Sequence, residues 1–143
     1  MFGYKSSEYN GRTEYIFMRN DIINWMSNNY IKFNALYFNN ILPPVNDKKR
    51  IIFEAVSTKK IKALGIAYPT KPYKIKMNFR YDLPEIEWKN VLLHEMIHIW
   101  QFVMEYKDAH GSTFKRKAKT INKDGWKIRT YYKNILDELK DVK

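Results

Sequence analysis

Cysteine is absent from this chain of 143 residues. That excludes a disulfide framework, a thiol nucleophile and any cysteine-based zinc ribbon. A metal bound here has to be held by nitrogen and oxygen. Glycine and proline are scarce, with five of each, and neither a low-complexity linker nor an internal repeat is present. No apolar run approaches the length of a membrane span. The opening stretch MFGYKSSEYNGRTEY carries no apolar core of signal-peptide length, and Phe2 after Met1 departs from the myristoylation pattern. The expected location is therefore the cytoplasm. The wealth of Lys, Asn, Ile and Tyr points to an AT-rich coding genome, so the expectation becomes nucleoid-associated in a bacterium, or the host cytoplasm if phage-encoded. Histidine occurs three times, always between residues 94 and 110.

What is present describes one globular domain. The hydrophobic share is 45% and the charged share 29%, the balance of a chain that builds a real core at this length. Eleven Tyr, eight Phe and four Trp supply bulky core material. The net charge of +11 is unevenly spread. Residues 46–83 carry ten basic and three acidic side chains, and residues 111–143 carry ten and four. Residues 84–110 between them carry two basic and five acidic ones. Two basic blocks around an acidic centre favour a polyanion such as nucleic acid, and the expected partner is DNA bound without sequence preference, single-stranded DNA included. The candidate contacts are Lys59, Lys60, Lys62, Lys115, Arg116 and Lys119. Trp126 could stack on a base, although a Trp in a chain this small is more often core. Glu54 and Asp82 read as surface charges.

The pattern along the chain is α+β. Residues 19–44 read as a helix with Asp21 as N-cap, a stripe of Ile22, Trp25, Met26, Asn29 and Phe33, and Ala35, Leu36 and Phe38 extending it. Pro43 and Pro44 end it. Strands are expected at 50–56, 62–68 and 73–79, the last alternating Tyr73, Ile75, Met77 and Phe79 with Lys74, Lys76 and Asn78. A second helix starts near Pro84 and runs to about Tyr106. It is apolar nearly all round, so it belongs between layers. The polar groups in its middle are His94, Glu95, His98 and Gln101, and buried polar groups require partners. A third helix covers 112–121, with Phe114, Ala118 and Ile121 inward and Lys115, Arg116, Lys117 and Lys119 outward. A further helix is expected near 130–140. The domain limits that follow are an N-terminal extension over 1–18, a core over 19–125, and a helical tail over 126–143 packed on the same domain.

His94 and His98 stand four residues apart with Glu95 beside the first. On a helix, positions i and i+4 lie one above the other, so two imidazoles can share one ion. Glu95 is then placed to take a proton from a metal-bound water. A catalytic zinc needs a third protein ligand and an open position. The metzincin spacing falls on Met104 and the thermolysin-like spacing on Ala118, so neither applies. His110 is the remaining histidine, just past the helix end, where Gly111 permits a close approach or a positive φ. Asp108 and Glu105 are the alternatives.

HEMIH followed by HGSTF resembles the SprT-like zinc metallopeptidases, the family of the DNA–protein crosslink protease Spartan. The matching positions are His94, Glu95, His98, His110, Gly111 and Phe114. FNALYFNNILPP resembles the family's N-terminal helix, YKIKMNF the strand before the active helix, and TIN at 120–122 the end of the following helix. The resemblance spans about residues 20–125. It implies a zincin-like minimal core, a small three-stranded or slightly larger sheet packed on an N-terminal helix and a buried active-site helix, followed by C-terminal helices. It implies one Zn2+ per chain on His94, His98 and His110, with Glu95 as general base. The expected activity is endopeptidase cleavage of DNA-associated or DNA-crosslinked proteins by a monomer that does not engage membranes. The expectation is a bare protease core, without the zinc ribbon of bacterial members or the ubiquitin- and clamp-binding tails of Spartan. The strand at 73–79 is expected to take substrate backbone by strand addition, and Tyr106, Tyr131, Tyr132 or Arg80 to stabilise the oxyanion. The rival expectation is a basic DNA-binding module with a metal site and little or no proteolysis; a hydrolase acting on something other than peptides is a second.

Overall fold

The computed structural model describes residues 12–132, without the side chains of 12–19. The elements are α1 (Arg12–Tyr37), β1 (Ile51–Val56), β2 (Gly65–Tyr68), β3 (Tyr73–Asn78), α2 (Glu85–Met104) and α3 (Ser112–Asn122). The α+β expectation holds. Residues 1–11 of the expected extension lie outside the described residues, as do 133–143 of the expected tail with most of its expected helix. The stretch 126–132 is not helical. None of the described helices is long and apolar enough to cross a membrane.

Helix α1 begins nine residues before Asp21, so Asp21 is an exposed interior residue and not an N-cap. Its buried face is Ile22, Met26, Tyr30 and Phe33, the i, i+4, i+8, i+11 stripe of an amphipathic helix. Ala35 and Leu36 point to solvent instead of extending that stripe. The helix stops at Tyr37, before the prolines, because the chain turns through Asn39 and Asn40 in left-handed conformation. Asn34 clamps the turn: its amide donates to Leu42 O at 3.0 Å and its Oδ1 accepts from Leu42 N at 3.2 Å. The Tyr30 hydroxyl donates to Pro43 O at 2.6 Å.

The sheet has the order β1-β3-β2, with β1 parallel to β3 and β2 antiparallel to it. Register places Ile51, Phe53 and Ala55 beside Tyr73, Ile75 and Met77, and these beside Ala67 and Gly65. Side chains alternate across a strand, so all of these share one face. Helices α1 and α2 cover it: Tyr30 meets Phe53 edge-on at 5.0 Å, and Phe102 stacks on Tyr73 at 6.1 Å. On the opposite face Glu54 bridges Lys74 and Lys76 at 3.5 and 3.3 Å, and both ammonium groups lie over the Tyr68 ring. Trp126 belongs to the core edge, packed on Phe33 at 5.3 Å with its indole N–H donating to the Tyr37 hydroxyl at 2.8 Å.

Helix α2 is the centre of the packing. Pro84 stands in extended conformation at its N-cap, where a missing N–H costs nothing. Trp88, Val91, Leu92, Leu93, Met96, Ile97 and Ile99 are essentially inaccessible; each such side chain contributes about 1.5–3 kcal/mol relative to exposure. The helix ends at Met104, two residues earlier than Tyr106, because Glu105 takes a left-handed conformation at its C-cap. Helix α3 buries Phe114, Ala118 and Ile121, the face its sequence indicates.

Candidate metal centre

Two histidines come from α2 and the third from the turn that follows it. His94 is buried, and His98 and His110 are half-buried. The turn is built by Asp108, Gly111 and Thr113. Gly111 N donates to Asp108 O at 2.7 Å, and Thr113 N donates to Asp108 Oδ2 at 2.7 Å. A Cβ on Gly111 would stand 2.8 Å from Asp108 O and 2.9 Å from Asp108 Oδ2. The glycine is therefore required by close approach; its φ of −80° is open to any residue. The Asp108 carboxylate is spent on starting α3, and Glu105 lines the cleft outside the group of possible metal ligands. Among the described residues, His94, His98 and His110 are the group that could hold a metal, their ligand atoms all within 4.8 Å of one another.

The hydrogen bonds fix which nitrogen each ring presents. His94 Nδ1 faces the Arg129 carbonyl oxygen at 2.7 Å. A carbonyl only accepts, so Nδ1 carries the proton and Nε2 keeps its lone pair. His98 Nδ1 faces Gln101 Oε1 at 2.8 Å. The orientation of that amide is set by its other end, which donates to Ala109 O at 2.7 Å and to Thr113 Oγ1 at 2.9 Å. Thr113 in turn donates its hydroxyl proton to Asp108 Oδ1. The chain Asp108, Thr113, Gln101, His98 thus leaves His98 Nε2 bare as well.

The three Nε2 atoms converge, with His110 3.1 Å from His98 and 3.3 Å from His94. Two of these atoms carry no proton, so no more than one donor, a protonated His110 Nε2, is available for the close approach of all three. That approach fits a shared ion: nitrogens about 2.0–2.1 Å from a tetrahedral zinc stand about 3.3–3.4 Å apart. Phe114 lies beneath the cluster, stacked on His98 at 4.9 Å and edge-on to His94 and His110 at 4.7 and 5.1 Å. Burial lowers the pKa of all three histidines, that of His94 to about 3. They are neutral at pH 7, the ligating form.

Glu95 is buried 4.0 Å from His94 Nε2. Burial pushes its carboxyl up to about 8. It rests against β2, where a Cβ on Gly65 would come within 2.9 Å of its Oε2, so β2 approaches this closely because residue 65 has no side chain. The centre opens into a cleft of about 660 Å³. Its walls include Ile66, Ala67, Pro69, Tyr73, Phe102 and Tyr106 beside the three histidines and Glu95.

The SprT-like family model matches residues 26–133. The chain belongs to the SprT-like family. None of the curated proteins matches it. This SprT-like chain keeps the family resemblance in the residues that form the site, and adds partners that sequence reasoning did not identify. Gln101 was visible as a polar residue in an apolar helix, but its role in orienting His98 was not. The Arg129 carbonyl left no signal, because any residue can supply a backbone oxygen.

Other expected residues fall elsewhere. The central β3 is paired on both sides, so it has no edge for a substrate strand; the edge beside the cleft is β2. Arg80 packs over the Tyr81 ring at 4.8 Å and is not part of the cleft lining. Tyr132 lies 5.4 Å from the His94 ring with its hydroxyl closed off from solvent. Tyr131 is exposed and meets His110 edge-on at 4.8 Å, and Tyr106 lines the cleft. Lys59, Lys60 and Lys62 are exposed between β1 and β2, and Lys115, Arg116 and Lys119 are exposed on α3. Asp82 is exposed too.

Proposed function

We propose that this protein is a zinc-dependent endopeptidase acting on extended segments of DNA-associated proteins. The observation that carries the reading is the convergence of three histidine Nε2 atoms beside the buried Glu95 carboxyl in an open cleft. His94, His98 and His110 would hold the ion; a zinc in such a site supplies Lewis acidity and brings the pKa of water toward neutral. Three protein ligands match an open catalytic site better than a closed structural one.

Glu95 is the general base: it takes the proton of the attacking water and returns it to the amine nitrogen as the peptide bond breaks. Burial among apolar groups raises the carboxyl of the metal-free chain, and beside a zinc it would be drawn back toward the ionised form that a general base needs. The free edge of β2 runs beside the cleft, so a substrate strand can add to Gly65, Ile66 and Ala67 through backbone hydrogen bonds. The apolar walls favour an apolar side chain near the bond that is cut. Tyr106, in the cleft wall, and Tyr131, beside His110, are the candidates for stabilising a developing oxyanion. The surplus of basic residues supports a DNA-associated substrate, because it attracts polyanions without sequence preference.

The test is cleavage of an unfolded protein such as casein by the zinc-loaded chain and by Glu95→Gln. The variant is expected to lose about 1,000-fold in rate while its zinc content stays equal to that of the parent. Undiminished cleavage by the variant would sink the role of Glu95. A zinc-loaded parent that binds DNA and cuts no protein would leave the DNA-binding module in its place.

A further inference from the structure

A second hollow, of about 270 Å³, is lined by Trp100, Tyr106, Thr113, Arg116, Lys117 and Thr120. Tyr106 lines the catalytic cleft as well, so the two concavities share a wall. The Trp100 and Tyr106 rings meet edge-on at 5.3 Å. Lys117 Nζ stands over the Trp100 ring at 5.2 Å and over Phe38 at 4.9 Å.

Helix α3 adds charge to this aromatic corner. Its sequence STFKRKAKTIN holds four cations and no acid. Lys115, Arg116 and Lys119 are exposed. Among the described residues none of the three has an ion-pair partner, whereas Lys74, Lys76, Lys89 and Arg129 each face a carboxylate. Uncompensated cations beside half-exposed ring faces match single-stranded nucleic acid, which offers phosphates to the cations and unstacked bases to the rings. A duplex hides its base faces, and an acidic peptide would satisfy the cations but leave the rings unused. The lysines between β1 and β2 have the charge without this aromatic corner.

We infer that the Trp100–Tyr106 hollow and the cationic face of α3 form a seat for single-stranded nucleic acid that abuts the catalytic cleft. The seat rests on the polyanion part of the reading above and is independent of peptide cleavage.

The experiment is fluorescence anisotropy of labelled oligo-dT, about 20 nucleotides long so that it exceeds one such site, with the zinc-loaded full chain at several salt concentrations. The exposed-position variant R116E/K119E is expected to bind at least about tenfold more weakly and with a flatter salt dependence. Its cleavage of a short peptide should match that of the parent, which also reports its folding. Tyr106→Ala should weaken oligo-dT about fivefold through lost stacking and leave inorganic polyphosphate unaffected. The variant K59E/K60E/K62E should stay near the parent. Parent-like binding by R116E/K119E, or a loss confined to the β1–β2 variant, overturns the seat. So does a duplex bound as tightly as oligo-dT with Tyr106→Ala neutral, and so does polyglutamate bound as tightly as oligo-dT. A parent that binds oligo-dT through these residues and cuts no protein supports the seat while overturning the peptidase reading.

Discussion

Buried polar side chains in this molecule fall into two groups that behave in opposite ways. The asparagines are bonded at both the oxygen and the nitrogen of the amide. Asn78 accepts from Thr58 N at 3.0 Å and donates to Thr58 O and Ile61 O at 3.1 and 2.9 Å. Asn90 accepts from Lys127 N at 3.0 Å and donates to Glu87 at 2.9 Å. Asn34 closes the turn after α1 in the same manner. Each ties a loop to the core through both ends of its amide. The candidate metal centre is built the other way: outward-facing atoms of His94, His98 and Gln101 are bonded, while the inward Nε2 atoms and the Glu95 carboxyl face one another. Bonding at both ends marks structure here, and polar atoms aimed at one point mark chemistry.

Removing one member from each group should separate them. His110→Ala is expected to have the largest effect on the ion: zinc affinity, by competition with a chelator, should fall by more than about 100-fold, since even the partners of metal ligands contribute about 10–100-fold. Stoichiometric zinc held at parental affinity would remove His110 from the ligand set. Asn78→Ala should do the reverse. It strands the backbone groups of Thr58 and Ile61 and should cost about 2–3 kcal/mol in denaturant unfolding, with zinc affinity unchanged. A loss of zinc in that variant would show that the two groups are coupled.

Gln101 stands between the groups, because its amide is bonded at both ends and yet touches a ligand. Gln101→Leu removes the acceptor for His98 Nδ1 and both donors to the turn, and is expected to lower zinc affinity about 10-fold. Gln101→Glu keeps the acceptor and loses the donors. If zinc affinity recovers in Gln101→Glu, orientation of His98 is the main role; if both variants fall equally, the main role is holding the turn of His110.

The sequence made the site easier to read than the topology. A nearly all-apolar helix with His94, Glu95 and His98 in its middle can be read without coordinates, because burying those groups idly would be costly. The spacing from His98 to His110 and Gly111 also resides within one stretch of chain. The buried face of α3 was legible for the same reason, since periodicity is local. The order β1-β3-β2 was not, because pairing between Ile51 and Tyr73 depends on contacts across the chain. That placed the substrate edge on β3 rather than β2. Asp21 misled because an exposed acid before an apolar stripe looks alike at a helix start and on a helix surface. Leu36 misled because composition does not say where a stripe drifts to solvent.

The smallest expected effect bears on what the buried Glu95 carboxyl costs. In the metal-free chain Glu95 sits in an apolar pocket with its pKa raised from 4.5 to about 8 by burial. Below pH 4.5 the carboxyl is protonated folded or unfolded, and contributes no penalty. Above it the unfolded chain gains by ionising while the folded chain holds the proton, so stability falls as pH rises from 4.5 toward 8 and levels off beyond. Glu95→Gln has no proton to lose. The metal-free variant should therefore melt with the parent at pH 4.5 and above it at pH 8, by at least about 1 kcal/mol, or roughly 4 °C for a domain of this size. Asn78 provides the contrast, since its replacement should lower the melting point equally at both pH values. A melting difference for Glu95→Gln that is flat with pH would mean that the carboxyl is not held uncharged by burial, and the division between the two groups would lose its energetic basis.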